Sequence, residues 1–166
     1  MEIIRIMLDN GADINHPAAR QSPLGQAAYE SDCEMIQFLL DNGADVNLVD
    51  RDFGSPLFSA VLGHGHDTCI LGPCPTRPSF EHSAKVVQML IDKGADVNLA
   101  GEHKTVLALA ASRGYSGLVK VLLRHGARIN HVSGECGSPL AWAAASGVEE
   151  TVNMLLNNGE IGRAHV

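Results

Sequence analysis

Five side chains of the kind that hold zinc, His64, His66, Cys69, Cys74 and His82, fall within residues 63–82. Neutral imidazole and thiolate are ligands that a tetrahedral zinc ion prefers, so a metal-binding or metal-assisted enzyme site in this stretch is one reading. Their spacing fits no known zinc pattern, and a Cys69 to Cys74 disulfide would need an oxidising compartment. Three prolines and three glycines in the same stretch exclude regular helix or strand and predict a protruding loop. The plainer reading is a loop lengthened to enlarge one end of a surface. Elsewhere no nucleophile with a base, no phosphate-cradling glycine loop and no paired carboxylates occur outside one recurring phrase. That phrase carries Asp13, Asp45 and Asp96, which could pass for metal or catalytic carboxylates. Their repetition argues instead for a scaffold role, because a short Asp or Asn beside a turn bonds the local amides. Asn15, Asn47, Asn98 and Asn130 are accordingly read as struts linking successive turns. No catalytic residue, metal ligand set or cofactor is assigned.

The elements that carry these residues repeat. Gly11-Ala12-Asp13-Ile14-Asn15 returns as Gly43-Ala44-Asp45-Val46-Asn47, as Gly94-Ala95-Asp96-Val97-Asn98 and, with one change, as Gly126-Ala127-Arg128-Ile129-Asn130. The glycines lie 32, 51 and 32 residues apart, and a further 33 leads to Gly159. One interval therefore holds an insertion of about 18 residues relative to the usual period. Before each glycine stands a constant apolar pattern, for example Met35, Ile36, Phe38, Leu39 and Leu40, or Leu118, Val119, Val121, Leu122 and Leu123. At helical spacing it covers an arc of roughly 200°, which predicts a helix buried on two sides. Glycine just past its end is the residue that most easily closes a helix in the left-handed conformation.

A second helix in each unit opens at Ser22-Pro23-Leu24, Ser55-Pro56-Leu57, Thr105-Val106-Leu107 and Ser138-Pro139-Leu140. The hydroxyl can accept from an unpaired amide, and proline in the first turn loses nothing by lacking its N–H. A narrow stripe of small residues follows, such as Leu24, Ala27 and Ala28 or Leu107, Ala110 and Ala111, which lets helices approach closely.

With these two halves the chain resembles the ankyrin repeat, a β-turn followed by two antiparallel helices with a Thr-Pro-Leu-His-x-Ala signature. Ser-Pro-Leu-x-x-Ala and Gly-Ala-Asp-Val-Asn stand for its two parts. The Gly-Ser-Pro-Leu wording at 54–57 and 137–140 is similar to ankyrin arrays of filamentous fungi. The resemblance implies an all-α solenoid with β-turn tips, forming one domain over 1–166. Its parts would be a half-repeat 1–15, repeats 16–47, 48–98 with the insertion 63–82, 99–130 and 131–159, and a tail 160–166. The signature histidine is replaced by Gly25, Phe58, Ala108 and Ala141, so its hydrogen bonds are absent and each repeat is expected to be somewhat less stable. A glycine-histidine pair is common at the end of an ankyrin first helix, which accounts for one of His64 and His66 without a metal.

The family holds protein partners on a concave face made of turn tips and the exposed side of the first helices. Carried over residue by residue, the tips include Ala18, Ala19 and Gln21, Arg51 and Asp52, Gly101, Glu102 and Lys104, and Gly134 and Glu135. The helix ends include Tyr29 and Glu30, Leu62, Ser112 and Arg113, and Ala145 and Ser146. Trp142, the only tryptophan, is read either as an interface anchor or as a cap on the core. The implied function is a non-catalytic protein-interaction module.

Charge and composition narrow the alternatives. Twelve basic against nineteen acidic residues leave a formal charge of -7, with the basic residues scattered, which opposes a nucleic-acid or anionic-membrane surface. Aromatic residues are only 4% of the chain, so the core is built of small side chains and a large-pocket enzyme is disfavoured. No apolar run approaches the roughly 20 residues of a membrane helix. The opening residues lack a signal-peptide pattern and the four cysteines follow no even spacing, which points to an intracellular, cytoplasmic location with the nucleus left open. At the start of the chain Ile3, Ile4, Ile6 and Met7 have no preceding helix pair to cover them, so the expectation is either a fragment of a larger protein or self-association through uncapped ends.

Overall fold

The computed structural model describes residues 2–16, 21–51, 53–63, 80–99, 104–131 and 137–161. Among them are nine helices and no strand: α1 (Glu2–Asp9), α2 (Pro23–Glu30), α3 (Cys33–Asp41), α4 (Pro56–Gly63), α5 (Phe80–Asp92), α6 (Val106–Ser112), α7 (Ser116–Arg124), α8 (Pro139–Ser146) and α9 (Glu149–Ile161). Four of them begin where the hydroxyls predicted. Ser22 Oγ accepts from Gly25 N–H at 3.1 Å, Ser55 from Phe58 at 3.2 Å, Thr105 from Ala108 at 3.1 Å and Ser138 from Ala141 at 3.3 Å. Each such cap stabilises its helix by about 1 kcal/mol.

The partner helices end on the recurring phrase, and both its first residues are needed. Gly43 sits at φ 89° and donates to Leu40 O, while Ala44 donates to Leu39 O. The same pair of bonds closes the helices before Gly11, Gly94 and Gly126, so otherwise orphaned carbonyls are satisfied. No atom lies within 4 Å of a Cβ placed on any of these four glycines; conformation, and not space, requires glycine there.

The chain divides into two compact units, Met1–Ala95 and Asp96–Val166. In the first, α2 packs on α4, and each pairs with its following helix, α3 or α5. In the second, α6 packs on α8, α7 on α9, and the pairs α6–α7 and α8–α9 close each turn. Within the paired helices Ile36, Leu39, Val86, Val87, Leu90, Leu118, Val119 and Leu122 are almost fully enclosed. The outer positions of the wide apolar arc, including Met35, Leu40, Met89 and Leu123, are half-buried.

The recurring aspartates and asparagines act on backbone. Asp13, Asp45 and Asp96 each accept, through Oδ1, the N–H two residues ahead at 2.8 to 2.9 Å. Asn15 Nδ2 donates to Gly43 O at 3.2 Å and its Oδ1 accepts from Asp45 N–H at 2.7 Å. Asn98 makes the matching bonds to Gly126 O and Arg128 N–H, at 3.2 and 2.8 Å, and Asn47 Nδ2 donates to Gly94 O at 3.1 Å. Asn98→Ala is expected to lower stability by about 1–2 kcal/mol in urea denaturation, since two net bonds are lost from partly solvated sites. Asn130→Ala should change it by no more than about 0.5 kcal/mol.

Asn130 differs because Gly159 does not close a helix. α9 continues through it to Ile161, and Gly159 is absent from the positive-φ glycines. Among the described residues after Asn130 no Gly-Ala-Asp turn receives its side chain. The ends of the insertion also differ from expectation: Gly63 is the last residue of α4, and residues 80–82 form the first turn of α5. No proline follows Pro78 there, so nothing prevents the helix from starting early. Residues 64–79, with His64, His66, Cys69 and Cys74, lie outside the described residues.

Candidate functional site

The tip between α3 and α4 is a tight backbone pair, with Asp50 N–H on Gly54 O at 2.9 Å and Gly54 N–H on Asp50 O at 3.1 Å. It exposes Arg51 and turns Asp50 inward. Asp50 is only 4% exposed, and its Oδ2 accepts from the Ser22 N–H at 2.9 Å and from the Ser22 hydroxyl at 2.8 Å. Oδ1 is enclosed with no hydrogen-bond partner. Alongside, Gln21 Nε2 donates to Ser59 Oγ at 3.1 Å, and that hydroxyl donates to Phe53 O at 3.4 Å.

Sequence patterning alone does not reveal this cluster, and it places Gln21 at an exposed tip. Gln21 is in fact buried, because its amide closes the link to Ser59. The cluster also shows what occupies the space at one of the positions that lack the signature histidine. At Gly25 a Cβ would lie 2.7 Å from Asp50 Oδ2, so the glycine makes room for a carboxylate that bonds the cap from the next tip. A serine beside a carboxylate could suggest nucleophilic chemistry, but Ser22 is 1% exposed and its hydroxyl is committed to Asp50 and Gly25. The dyad is structural.

The surface residues expected to meet a partner are arranged as follows. In the first unit Tyr29 is half-buried, with its ring edge-on to Phe53 at 5.9 Å between centroids. Glu30 is exposed and takes a hydrogen bond from Gln26 Nε2. Leu62, half-buried, precedes Gly63, whose backbone lies against that of Tyr29. Tyr29, Glu30 and Leu62 thus sit at adjacent ends of α2 and α4. In the second unit Lys104 Nζ stands 3.5 Å from the centre of the Trp142 ring, so these two form one patch; such a contact contributes about 0.5–1 kcal/mol at a solvated site. Trp142 is half-buried, and its Nε1 is enclosed without a partner. Ser112 ends α6, its hydroxyl donating to Leu109 O at 2.8 Å, and Arg113 follows, half-buried. Ala18, Ala19, Asp52, Gly101, Glu102, Gly134 and Glu135 lie outside the described residues.

Among the described residues no group of three or more His, Cys, Asp or Glu side chains could hold a metal ion, and no helix is long and apolar enough to cross a membrane.

Residues 79–164 match a family model described as ankyrin repeats (3 copies), and residues 24–70 match another described as ankyrin repeats (many copies). Human ankyrin repeat domain-containing protein 63 is 33% identical over 76 residues. That match covers 45% of this chain and about a fifth, 20%, of the human protein.

Proposed function

The chain belongs to the ankyrin repeat family, and on that premise we propose that it holds a partner protein on the concave face the family uses, without catalysis of its own. Ankyrin repeats are in general protein–protein interaction modules, and proteins built from them are typically non-enzymatic scaffolds. One contrast carries the reading to this chain. The recurring phrase commits its polar groups to backbone, whereas tips and helix ends differ in every repeat. The first set holds a frame and the second addresses a partner. The contact residues are Tyr29, Glu30, Arg51, Asp52, Leu62, Glu102, Lys104, Ser112, Arg113, Glu135 and Trp142. The same net charge of -7 sets nucleic acid aside as the ligand, and the repeats act as one intracellular domain.

The test starts from the partner recovered by pull-down from native lysate and identified by mass spectrometry. Reversing charge at both Glu102 and Arg113 is expected to weaken that partner by about tenfold or more and to shift thermal unfolding less, because charges at tips and helix ends matter more to encounter and register than to folding. Fluorescence of the only tryptophan, Trp142, should change on binding. The reading fails if the double reversal binds as wild type while Gln88→Ala with Lys120→Ala, on the partner helices α5 and α7, abolishes binding.

A further inference from the structure

The fourth helix-closing turn reverses a charge that the other three share. Two residues before the closing glycine those three have Asp9, Asp41 and Asp92, and two after it Asp13, Asp45 and Asp96; in the fourth both positions are arginine, Arg124 and Arg128. Both are exposed, as is His125 beside Arg124. The backbone of the turn is unchanged, with Gly126 at φ 83°, Gly126 N–H on Leu123 O and Ala127 N–H on Leu122 O. The exchange gives up a bond. Asp13, Asp45 and Asp96 each accept from the N–H two residues ahead, whereas a guanidinium has no acceptor to offer Asn130 N–H. Turn stability therefore does not account for Arg128. An arginine in the last turn of α7 suits the helix dipole, yet α3 and α5 close in the same way on Asp41 and Asp92.

Charge around this turn has one sign. Residues 103–134 hold five Lys or Arg and no Asp or Glu. Among the described residues Lys93 pairs with Asp41 at 3.6 Å, and neither Arg124 nor Arg128 has an ion pair. On α9, which packs on α7, residues 151–159 carry no charge, and Glu150 takes its bond from Ser116 Oγ at 2.8 Å. Ser116 starts α7 and Arg124 ends it, which separates them by roughly 12 Å. Residues 1–95 hold thirteen of the nineteen acidic residues and six of the twelve basic ones, so the net charge of -7 belongs to them and 96–166 balance.

We propose that Arg124 and Arg128 are a docking point for an acidic segment of a partner protein, two of whose Asp or Glu carboxylates pair with the two guanidiniums. It is a second surface, since neither arginine is among the contact residues of the concave face. A guanidinium takes a carboxylate through two parallel N–H···O bonds, and arginine clusters are a recurring means of reading acidic motifs. Nucleic acid answers the turn less well. Its affinity comes from many phosphates, and two arginines in a chain of net charge -7 meet few of them.

The experiment is fluorescence anisotropy with labelled Glu/Ser and Gln/Ser peptides of about 12 residues, roughly 40 Å when extended. An ionic strength of about 0.1 M shortens the screening length to about 10 Å, so that nearby charges decide. The glutamate peptide is expected to bind about tenfold or more tighter than the glutamine peptide. Arg124→Asp with Arg128→Asp should weaken it by about tenfold or more, while Lys85→Asp with Lys93→Asp, the same change of charge on exposed residues elsewhere, should leave it within about threefold. The arginine variant writes into the fourth turn the residues that the other three carry, so its helices are expected to persist, and circular dichroism verifies this. Equal binding of the two peptides, binding of neither, undiminished binding to the arginine variant or equal loss in the lysine variant overturns the proposal. So does tighter binding of a single-stranded oligonucleotide of matched length, which would assign the turn to nucleic acid. Sedimentation showing a dimer that the arginine variant dissolves would overturn it in favour of a second copy.

Discussion

Gly63→Ala is expected to destabilise the first unit by about 3 kcal/mol, although alanine is the better helix former. A Cβ at this position would lie 2.0 Å from the Tyr29 carbonyl oxygen, 2.8 Å from its carbon and 3.0 Å from the Tyr29 Cα. Those are backbone atoms inside α2, so relief requires moving one helix against the other, and overpacking of this kind costs about 1–3 kcal/mol or more. The propensity gain of replacing glycine in a helix is at most about 1 kcal/mol. The clash wins. Urea denaturation followed by circular dichroism measures the loss, and Gly159→Ala supplies the contrast. Gly159 is also helical, but a methyl group added there would meet no atom within 4 Å, so the gain of about 1 kcal/mol should appear alone. Equal effects of the two substitutions would show that the approach of α2 and α4 is not tight. That approach also fixes the distance between Tyr29 and Leu62 on the proposed partner face.

The second large effect lies at Asp50. Asp50→Ala should cost about 2 kcal/mol: it removes two hydrogen bonds to a charged acceptor, each contributing about 1.5–3 kcal/mol, and leaves the Ser22 N–H buried without a partner. Removing the enclosed, unpartnered Oδ1 offsets part of this, since burying such an atom is itself unfavourable. Asp50→Asn keeps one acceptor oxygen and should lose less, about 1 kcal/mol. The same geometry reverses a common engineering rule. Gly25→His restores the family signature, and substitutions toward a consensus usually stabilise by about 0.5–2 kcal/mol. Here it should destabilise by at least about 1 kcal/mol, because its Cβ would fall 2.7 Å from the Asp50 carboxylate. A rise in melting temperature for Gly25→His would refute the substitution of carboxylate for histidine.

What can be read from the sequence depends on how far apart the interacting residues stand. The caps at Ser22, Ser55, Thr105 and Ser138 and the Gly-Ala helix ends bond within five residues, so local chemistry names both partners. The struts span 28 to 47 residues, yet they are legible because repetition supplies the missing distance. Asp50 has neither advantage. Its partner Ser22 is 28 residues away, no other repeat shows the pair among the described residues, and the one signal is a glycine where the signature has histidine. Gly159 misleads because glycine both closes helices and is tolerated within them at a cost of about 1 kcal/mol; the following Glu160-Ile161 lacks the Ala-Asp of the phrase. At the fourth turn both exchanges follow from the sequence, because repetition aligns Arg124 and Arg128 with aspartates. That neither pairs with a carboxylate among the described residues does not, since it depends on how α7 and α9 are assembled.

Asn15, Asn47 and Asn98 hold the unit they reach by its main chain. A joint of that kind is indifferent to spelling. Gene duplication, deletion or exchange of one unit leaves both halves of the joint in place, because every unit carries a main chain to be gripped. At this joint an array can change length by recombination without inventing new contacts, and point mutations can rewrite exposed tip residues such as Arg51 while the joint is inherited whole. A protein engineer can splice units at the asparagine without redesigning that joint, and need carry along only the side-chain contacts peculiar to one pair of neighbours, such as Asp50 on Ser22 and Gly63 against Tyr29.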